Sequence, residues 1–378
     1  MIDYLPKDKE NFFDCWRYIL KYRGFGWYLF WGQRGNGKTY SLIDGAMLRG
    51  LKIAYIRRYD TDLMNPDLIK LFQTDHNIKK ITANEYEYIT VKTGKQICFC
   101  NYDKNGKIAE CSEPIAQCFA LNKWERYKGA DRGTFDIIIF DEFMTGRELP
   151  DEYVCFKNML STLLRNRDKA IIVMLANSFN PFSVYFDELC VNDIVQGMSQ
   201  GESETATFDE TKILLHYCVQ TKITEKVNKK FFGFDKGKTR TQMIEGGSWQ
   251  IDDYPHCTLP YINKPTEDGG NVIIYMYVAF RSKFMVLKIV NVEKIPLFIH
   301  AHFVKDIPQK AKFIFTPLSD IYTDKTYHTI DNFMYNNKRL GKILERCLKS
   351  NRIYFTNNME GEFFKTWYNA QRLKRFIV

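Results

Sequence analysis

FWGQRGNGKTYSL, residues 30–42, joins two apolar residues to a loop with three glycines and then to Lys-Thr at the head of a helical pattern. Gly32-Gln33-Arg34-Gly35-Asn36-Gly37-Lys38-Thr39 fits G-x-x-x-x-G-K-[ST] at each position. Glycines let a backbone wrap a phosphate with its N–H groups, so Gly32, Gln33, Arg34, Gly35, Asn36 and Gly37 form the expected cradle. Lys38 is expected to reach the β- and γ-phosphates, and Thr39 to hold Mg²⁺. The context suits the motif. WYLFW, 27–31, reads as a buried strand and residues 38–49 as a helix. Gly237-Lys238-Thr239 repeats the ending, but Phe232 stands where the first glycine is needed. That segment reads as a basic loop.

A phosphate loop alone leaves a switch, a small-molecule kinase or a motor open. FDIIIFDEF, 135–143, narrows the choice. Four apolar residues followed by Asp141 is the expected Mg²⁺-holding partner of the loop. Glu142 directly after it supplies a carboxylate base for attacking water, which favours ATP hydrolysis over transfer to a metabolite. Asn177 leaves the strand IIVMLAN and suits a γ-phosphate sensor or a water-positioning group; a plain strand terminator is the alternative. Arg165 in LLRNRDK closes a helical pattern. It fits an arginine that completes a neighbouring subunit's site, or a cation that complements its own helix dipole. Arg167 and Arg147 are the reserves for the same role.

The 378 residues suggest two or three domains, with 45% apolar and 26% charged residues as in ordinary globular chains. The formal charge of +9 agrees with a polyanionic partner without requiring one. Ten cysteines include no Cys-x-x-Cys pair, and six histidines add little. No structural zinc is expected, and reduced thiols in a cytoplasm are. The start MIDYLPKDKENFF lacks the layout of a signal peptide, and no apolar run approaches about 18 residues, so no membrane span is expected.

Along the chain, residues 10–22 read as an amphipathic helix, 51–59 as a second strand ending in Arg57 and Arg58, and 91–111 as a hairpin. A helix at 151–165 and the strand KAIIVMLANSF follow. Alternating strands and helices imply an α/β fold with a mostly parallel sheet covered on both faces. The polar, acidic QGESETATFDETK after residue 197 reads as a linker or a mobile edge. NVIIYMYVAFRSKFMVLKIVN, 271–291, reads as two strands turning at Arg281-Ser282-Lys283. Residues 325–378 hold eleven Lys/Arg against four Asp/Glu. The expected domains are 1–197, a linker or lid at 198–249, and 250–378. Arg57 and Arg58 suit phosphate or subunit contacts. Lys123, Arg126, Lys128 and Arg132 stand among Trp124 and Tyr127 just before the acidic strand. They fit backbone phosphates of DNA, or a solvated loop balanced by Glu125 and Asp131.

GQRGNGKTY, YIRRY, IIIFDEF, LLRNRD and LAN, in this order, resemble the genome-packaging ATPases of short-tailed bacteriophages of the Salasmavirus type. The resemblance is strong over about residues 25–197 and thinner over GKTRTQMIEG and FRSKFMVLKIVN. It implies a P-loop NTPase core of the additional-strand, catalytic-glutamate class, a small lid, and an α+β C-terminal domain similar to a degenerate RNase H-like nuclease. It also implies a homo-oligomeric ring, a pentamer, at the portal of an empty prohead in the host cytoplasm, driving double-stranded DNA inward. Some members dock on a structural RNA. In this resemblance Arg165 acts across the subunit boundary and the 121–133 loop faces DNA. Nuclease sites of that type need clustered carboxylates starting on the first strand, and NVIIYMYVAF has none. Asp306, Asp320, Asp324 and Asp331 come later, so a non-catalytic domain is expected. A ring pump outside packaging and a non-catalytic nucleotide-gated binding protein are the alternatives.

Overall fold

The computed structural model describes residues 12–73, 78–128, 134–144, 148–165, 169–177, 180–219, 254–257, 272–292, 294–316 and 326–373. Arg132, Arg147, Arg167, Asp320, Asp324 and the Gly237-Lys238-Thr239 segment lie outside the described residues. The chain divides into two compact units: residues 1–145 with 151–249, and residues 146–150 with 250–378.

In the first unit the strands are β1 (Trp27–Trp31), β2 (Ile53–Arg57), β3 (Tyr88–Lys92), β4 (Gln96–Tyr102), β5 (Ile108–Cys111), β6 (Ala116–Ala120), β7 (Ile137–Asp141), β8 (Ile171–Ala176), β9 (Ser203–Phe208) and β10 (Thr211–Tyr217). The helices are α1 (Cys15–Lys21), α2 (Lys38–Leu48), α3 (Asn65–Phe72), α4 (Ile78–Ile81), α5 (Glu152–Leu163), α6 (Val184–Glu188) and α7 (Asn192–Gly197). The sheet runs β3-β4-β6-β2-β7-β8-β1-β10-β9, with β5 beside β4. Strands β6, β2, β7, β8, β1 and β10 are parallel, and β3, β4, β5 and β9 are antiparallel additions. Continuous burial explains why the central strands are uninterrupted apolar runs. β8 lies between the glycine-loop strand β1 and the acidic strand β7, which is the additional strand of the anticipated ATPase class.

Side-chain alternation sorts the two faces. Tyr28, Phe30, Tyr55 and Ile139 face α1 and α2 in the larger core. On the other face Phe140 meets Phe156 of α5 and Tyr185 of α6, at ring separations of 5.0 and 5.6 Å. α1 crosses α2 at Gly45, where a Cβ would stand 2.1 Å from the Trp16 ring.

Three expectations differ from the structure. The first helix starts at Cys15 rather than at residue 10, because the Asp14 carboxylate caps it by accepting the Trp16 N–H at 2.9 Å. AQCFA, not anticipated as a strand, is β6, with all five residues buried beside β2. The stretch read as a linker is sheet. SETATF forms β9, and the apolar ILLHY of β10 is buried parallel to β1, so residues 203–217 belong to the first unit. An exposed edge strand reads polar, and that hid it.

The second unit has β11 (Val272–Phe280), β12 (Lys283–Val292), β13 (Ile295–Val304), β14 (Ile314–Phe315), β15 (Tyr327–His328) and β16 (Ile353–Phe355). Its helices are α8 (Ile330–Asn336), α9 (Lys338–Lys349) and α10 (Asn358–Leu373). The order is β15-β14-β11-β12-β13-β16. β11, β12 and β13 form an antiparallel meander, while β14 and β15 run parallel to β11. Arg281 and Ser282, both left-handed, make the β11–β12 turn where the sequence placed it. α10 buries Phe363, Phe364 and Trp367 at helical spacing. No helix among the described residues is long and apolar enough to cross a membrane.

Three histidines, two buried and one half-buried, link this packing to pH. His216 on β10 packs against Phe13 and Tyr18, which also stack on each other, and burial lowers its pKa to about 4. His300 and His302 on β13 are lowered to about 4, mainly by burial, further for His300 by His302, and for both by Lys288. Each folded value lies below the unfolded value of about 6.5. The unfolded chain therefore binds more protons between those limits. Stability is full above about pH 6.5 and falls as pH drops toward 4. Urea midpoints measured from pH 7.5 to 4.5 should decline, and His216→Phe, which keeps the ring stack, should flatten the slope.

Candidate phosphate and metal site

The site forms where β1, β7 and β8 end on the same edge of the sheet, the usual ligand position in parallel α/β sheets. Gly32 leaves β1 at φ +149°, and a Cβ there would stand 2.8 Å from the Cys218 carbonyl. Gly35 and Gly37 also have positive φ, at +80° and +92°. Gly37 then caps α2, so the loop N–H groups and the helix N-terminus share one concavity. The loop is braced from outside. Asn36 accepts the Phe13 N–H at 2.7 Å, and the Ser41 hydroxyl accepts the Cys15 N–H at 3.2 Å.

Lys38 is buried and donates to the carbonyls of Gly32 (3.0 Å) and Gln33 (2.7 Å) and to Asn36 Oδ1 (3.0 Å). Burial lowers its pKa. The Asn36 amide nitrogen is buried with no hydrogen-bond partner among the described residues, a donor left over inside the loop. Thr39 Oγ1 lies 3.3 and 3.2 Å from the two oxygens of Asp141, 102 residues away in sequence. A hydroxyl beside a carboxylate is a hard-oxygen donor pair suited to Mg²⁺, and the loop beside it is suited to phosphate. The residues present therefore fit both groups.

Asp141 is fully enclosed, and burial raises its pKa against the lowering effect of Arg57 and Tyr55. Tyr55 donates to Asp141 Oδ2 at 2.8 Å. Arg57 bridges the two adjacent carboxylates, with Nη1 at 3.5 Å from Asp141 and Nη2 at 2.8 Å from Glu142. Glu142 sits in the left-handed region at φ +61°, which turns its side chain out of the strand line. Asn177, just past β8, donates to Glu142 Oε1 at 3.4 Å, and exposed Arg34 stands 3.7 Å from the same oxygen. Lys38, Thr39, Asp141, Glu142 and Asn177 are thus brought together, and Arg34 is at the rim.

The remaining sequence candidates are elsewhere. Arg165 is exposed beyond the C-terminal end of α5. Residues 121–127 form a 3-10 helix rather than an open loop. Lys123 pairs with Asp60, which also holds Lys95 at 2.6 Å, so its charge is already compensated. Arg126 and Lys128 are exposed, and Lys128 lies 3.9 Å over the Trp124 ring.

Two contributors escaped the sequence reading. Tyr55 was only part of the 51–59 strand, and Arg57 was read as suiting phosphate or subunit contacts. Their signal was present: Tyr55 and Arg57 alternate on one face of β2, and β2 runs in register beside β7 with Tyr55 opposite Ile139. Only the pairing of those strands turns that alternation into a contact with Asp141.

A family model described as podovirus DNA encapsidation protein (Gp16) matches residues 7–207. The DNA packaging protein of Bacillus phage B103 is 30% identical over 166 residues, 41% of this chain and 46% of its own length. That of Bacillus phage phi29 is 26% identical over 168 residues, 41% of this chain and 45% of its own length. The chain thus aligns with about half the length of these curated relatives. Among solved structures, the bacteriophage Phi-29 viral genome packaging motor assembly covers 96% of this chain and 100% of its own, with TM-score 0.57 and 14% identity. The Phi-28 gp11 DNA packaging motor covers 96% and 98%, with TM-score 0.53 and 15% identity. At these identities the likeness is one of fold.

Gly32→Ala places a methyl group against the Cys218 carbonyl at a backbone angle that disfavours any Cβ. Denaturant unfolding should show a loss of about 1–3 kcal/mol.

Proposed function

This chain belongs to the podovirus DNA encapsidation protein (Gp16) family, and from that premise we propose that it is an ATP-driven motor that moves double-stranded DNA into a prohead. The observation that carries the catalytic part is the Asp141-Glu142 pair: the first carboxylate meets Thr39 of the phosphate loop, and the next residue holds a half-exposed carboxylate beside Asn177. One β-strand end thereby delivers both a metal-holding group and a base.

In this reading the loop N–H groups and Lys38 bind the phosphates of ATP. Lys38 exchanges the Gly32 and Gln33 carbonyls for phosphate oxygens. Thr39 and Asp141 hold Mg²⁺, which when bound offsets phosphate charge. Glu142 takes a proton from the attacking water at a carboxylate oxygen. Arg57 holds that carboxylate at 2.8 Å, so a productive geometry requires it to yield or to move with Glu142. Asn177 orients water or the γ-phosphate.

Arg165 cannot readily serve its own subunit. The 12 residues of α5 span about 18 Å, and the end nearest Glu142 is the other one. It therefore acts on a neighbour in a ring, a pentamer by family analogy, with Arg167 and Arg147 as the other candidates. The exposed Arg126 and Lys128, with Arg132, meet DNA backbone phosphates, while Lys123 does so only after leaving Asp60. The portal, and in some settings a structural RNA, complete the assembly. The second unit acts as a non-catalytic module, because β11 carries no carboxylate to start a two-metal site.

Glu142→Gln should bind ATP as the parent does and hydrolyse it on the order of 10²–10⁴-fold more slowly in a steady-state ATPase assay with DNA and proheads. Unchanged hydrolysis would falsify the assignment of the base. Mixed rings of Arg165→Ala and Lys38→Ala subunits should show hydrolysis that departs from the sum of the two populations, since an intact loop then meets an intact arginine only across some boundaries. Strict additivity at every mixing ratio would rule out the role in trans.

A further inference from the structure

Two consecutive arginines stand at the end of β2, Arg57 as its last residue and Arg58 just past it, and the catalytic scheme uses only Arg57. Arg58 points to the opposite face and is buried. Its Nε and Nη2 donate to the two oxygens of Glu152 at 2.8 and 2.7 Å. Nη1 donates to the Glu142 carbonyl at 2.9 Å, and Nη2 also donates to the Phe143 carbonyl at 2.8 Å. Glu152, itself buried at the first turn of α5, further accepts the Tyr185 hydroxyl at 2.8 Å. A two-point grip by a carboxylate fixes the plane of a guanidinium, so its other N–H bonds point in set directions. Here they meet the backbone around Glu142.

The peptide between Glu142 and Phe143 is thus held at both ends. Its carbonyl accepts from Arg58, and its N–H donates to the Leu175 carbonyl of β8 at 3.0 Å. That peptide sets the direction of the Glu142 backbone, which lies at φ +61°. A left-handed residue without glycine persists where its surroundings over-determine it. A buried ion pair of this kind is weakly justified by stability alone, since apolar residues of similar size commonly replace such pairs at little cost.

We propose that Arg58 is a positioning residue for ATP hydrolysis: with Glu152 as its anchor, it fixes the Glu142–Phe143 peptide and so aims the Glu142 carboxylate. The role rests on the assignment of Glu142 as the base. Arg57 and Arg58 then divide the task, one holding the carboxylate and the other its backbone. Arg58 also ties that peptide to the head of α5, the helix that leads to Arg165.

The test uses the full chain with DNA and proheads. Arg58→Met/Glu152→Met removes both charges together and keeps the volume apolar. The expected result is an unfolding midpoint and a KM for ATP near those of the parent, with kcat lowered roughly tenfold to a hundredfold. Arg58→Lys, which keeps a charge for Glu152 but lacks the fork, serves as the second variant and should show the same split between kcat and KM. A kcat within about twofold of the parent in either folded variant overturns the proposal, as does a raised KM with kcat intact. A parent chain that does not hydrolyse ATP removes the site assignment and this role together. A hydrolysing parent with unaffected variants removes this role alone.

Discussion

Burying Asp141 is the constraint around which the first unit is arranged. A carboxylate enclosed by a sheet is costly unless charge and hydrogen bonds replace the water it loses. Tyr55, Thr39 and Arg57 supply them, and burial still dominates, leaving the pKa raised. The partners come from two elements, β2 and α2, and the carboxylate from a third, β7, so satisfying it fixes the relative positions of all three. Lys38 follows the same rule from the other side: its ammonium is enclosed, and loop oxygens satisfy it.

This arrangement puts charged side chains on both faces of one sheet edge. Alternation continued one residue past β2 sends Arg57 to the loop face and Arg58 to the opposite face. Glu142 stands between them, with its carboxylate held by the first and its peptide by the second. The backbone of Arg58 also accepts the Asn122 N–H at 3.0 Å, so the basic 121–127 helix starts from the same place. Side-chain chemistry at the phosphate loop and at the candidate DNA surface is therefore separated by one residue of main chain.

Much of the site was legible because its chemistry needs fixed local spacing. The eight-residue loop and Asp141-Glu142 each sit on one short segment, so residue order alone reports them. The exposed β9 was misread, because an edge strand facing water has a polar composition that resembles a linker. Pairing with β10 supplies the order that composition did not suggest. Lys123 was read as meeting DNA phosphates or as balanced by Glu125 and Asp131, but its partner is Asp60, 63 positions away. In the second unit the turn at Arg281-Ser282 was visible, since tight hairpins carry their own local signature.

By itself, the sequence determined that a phosphate loop lies between a buried strand and a helix, that an acidic pair ends another strand, and that strands alternate with helices. These are local properties, set by glycine's backbone freedom, by burial and by short-range periodicity. Tertiary structure alone decided that β8 separates β1 from β7, that Arg57 meets the acidic pair, and that Arg58 holds the peptide behind it. Those contacts join residues 84 to 94 positions apart. No local preference encodes them. They follow from which strands pair and in what register, a choice made by the packing of the whole sheet.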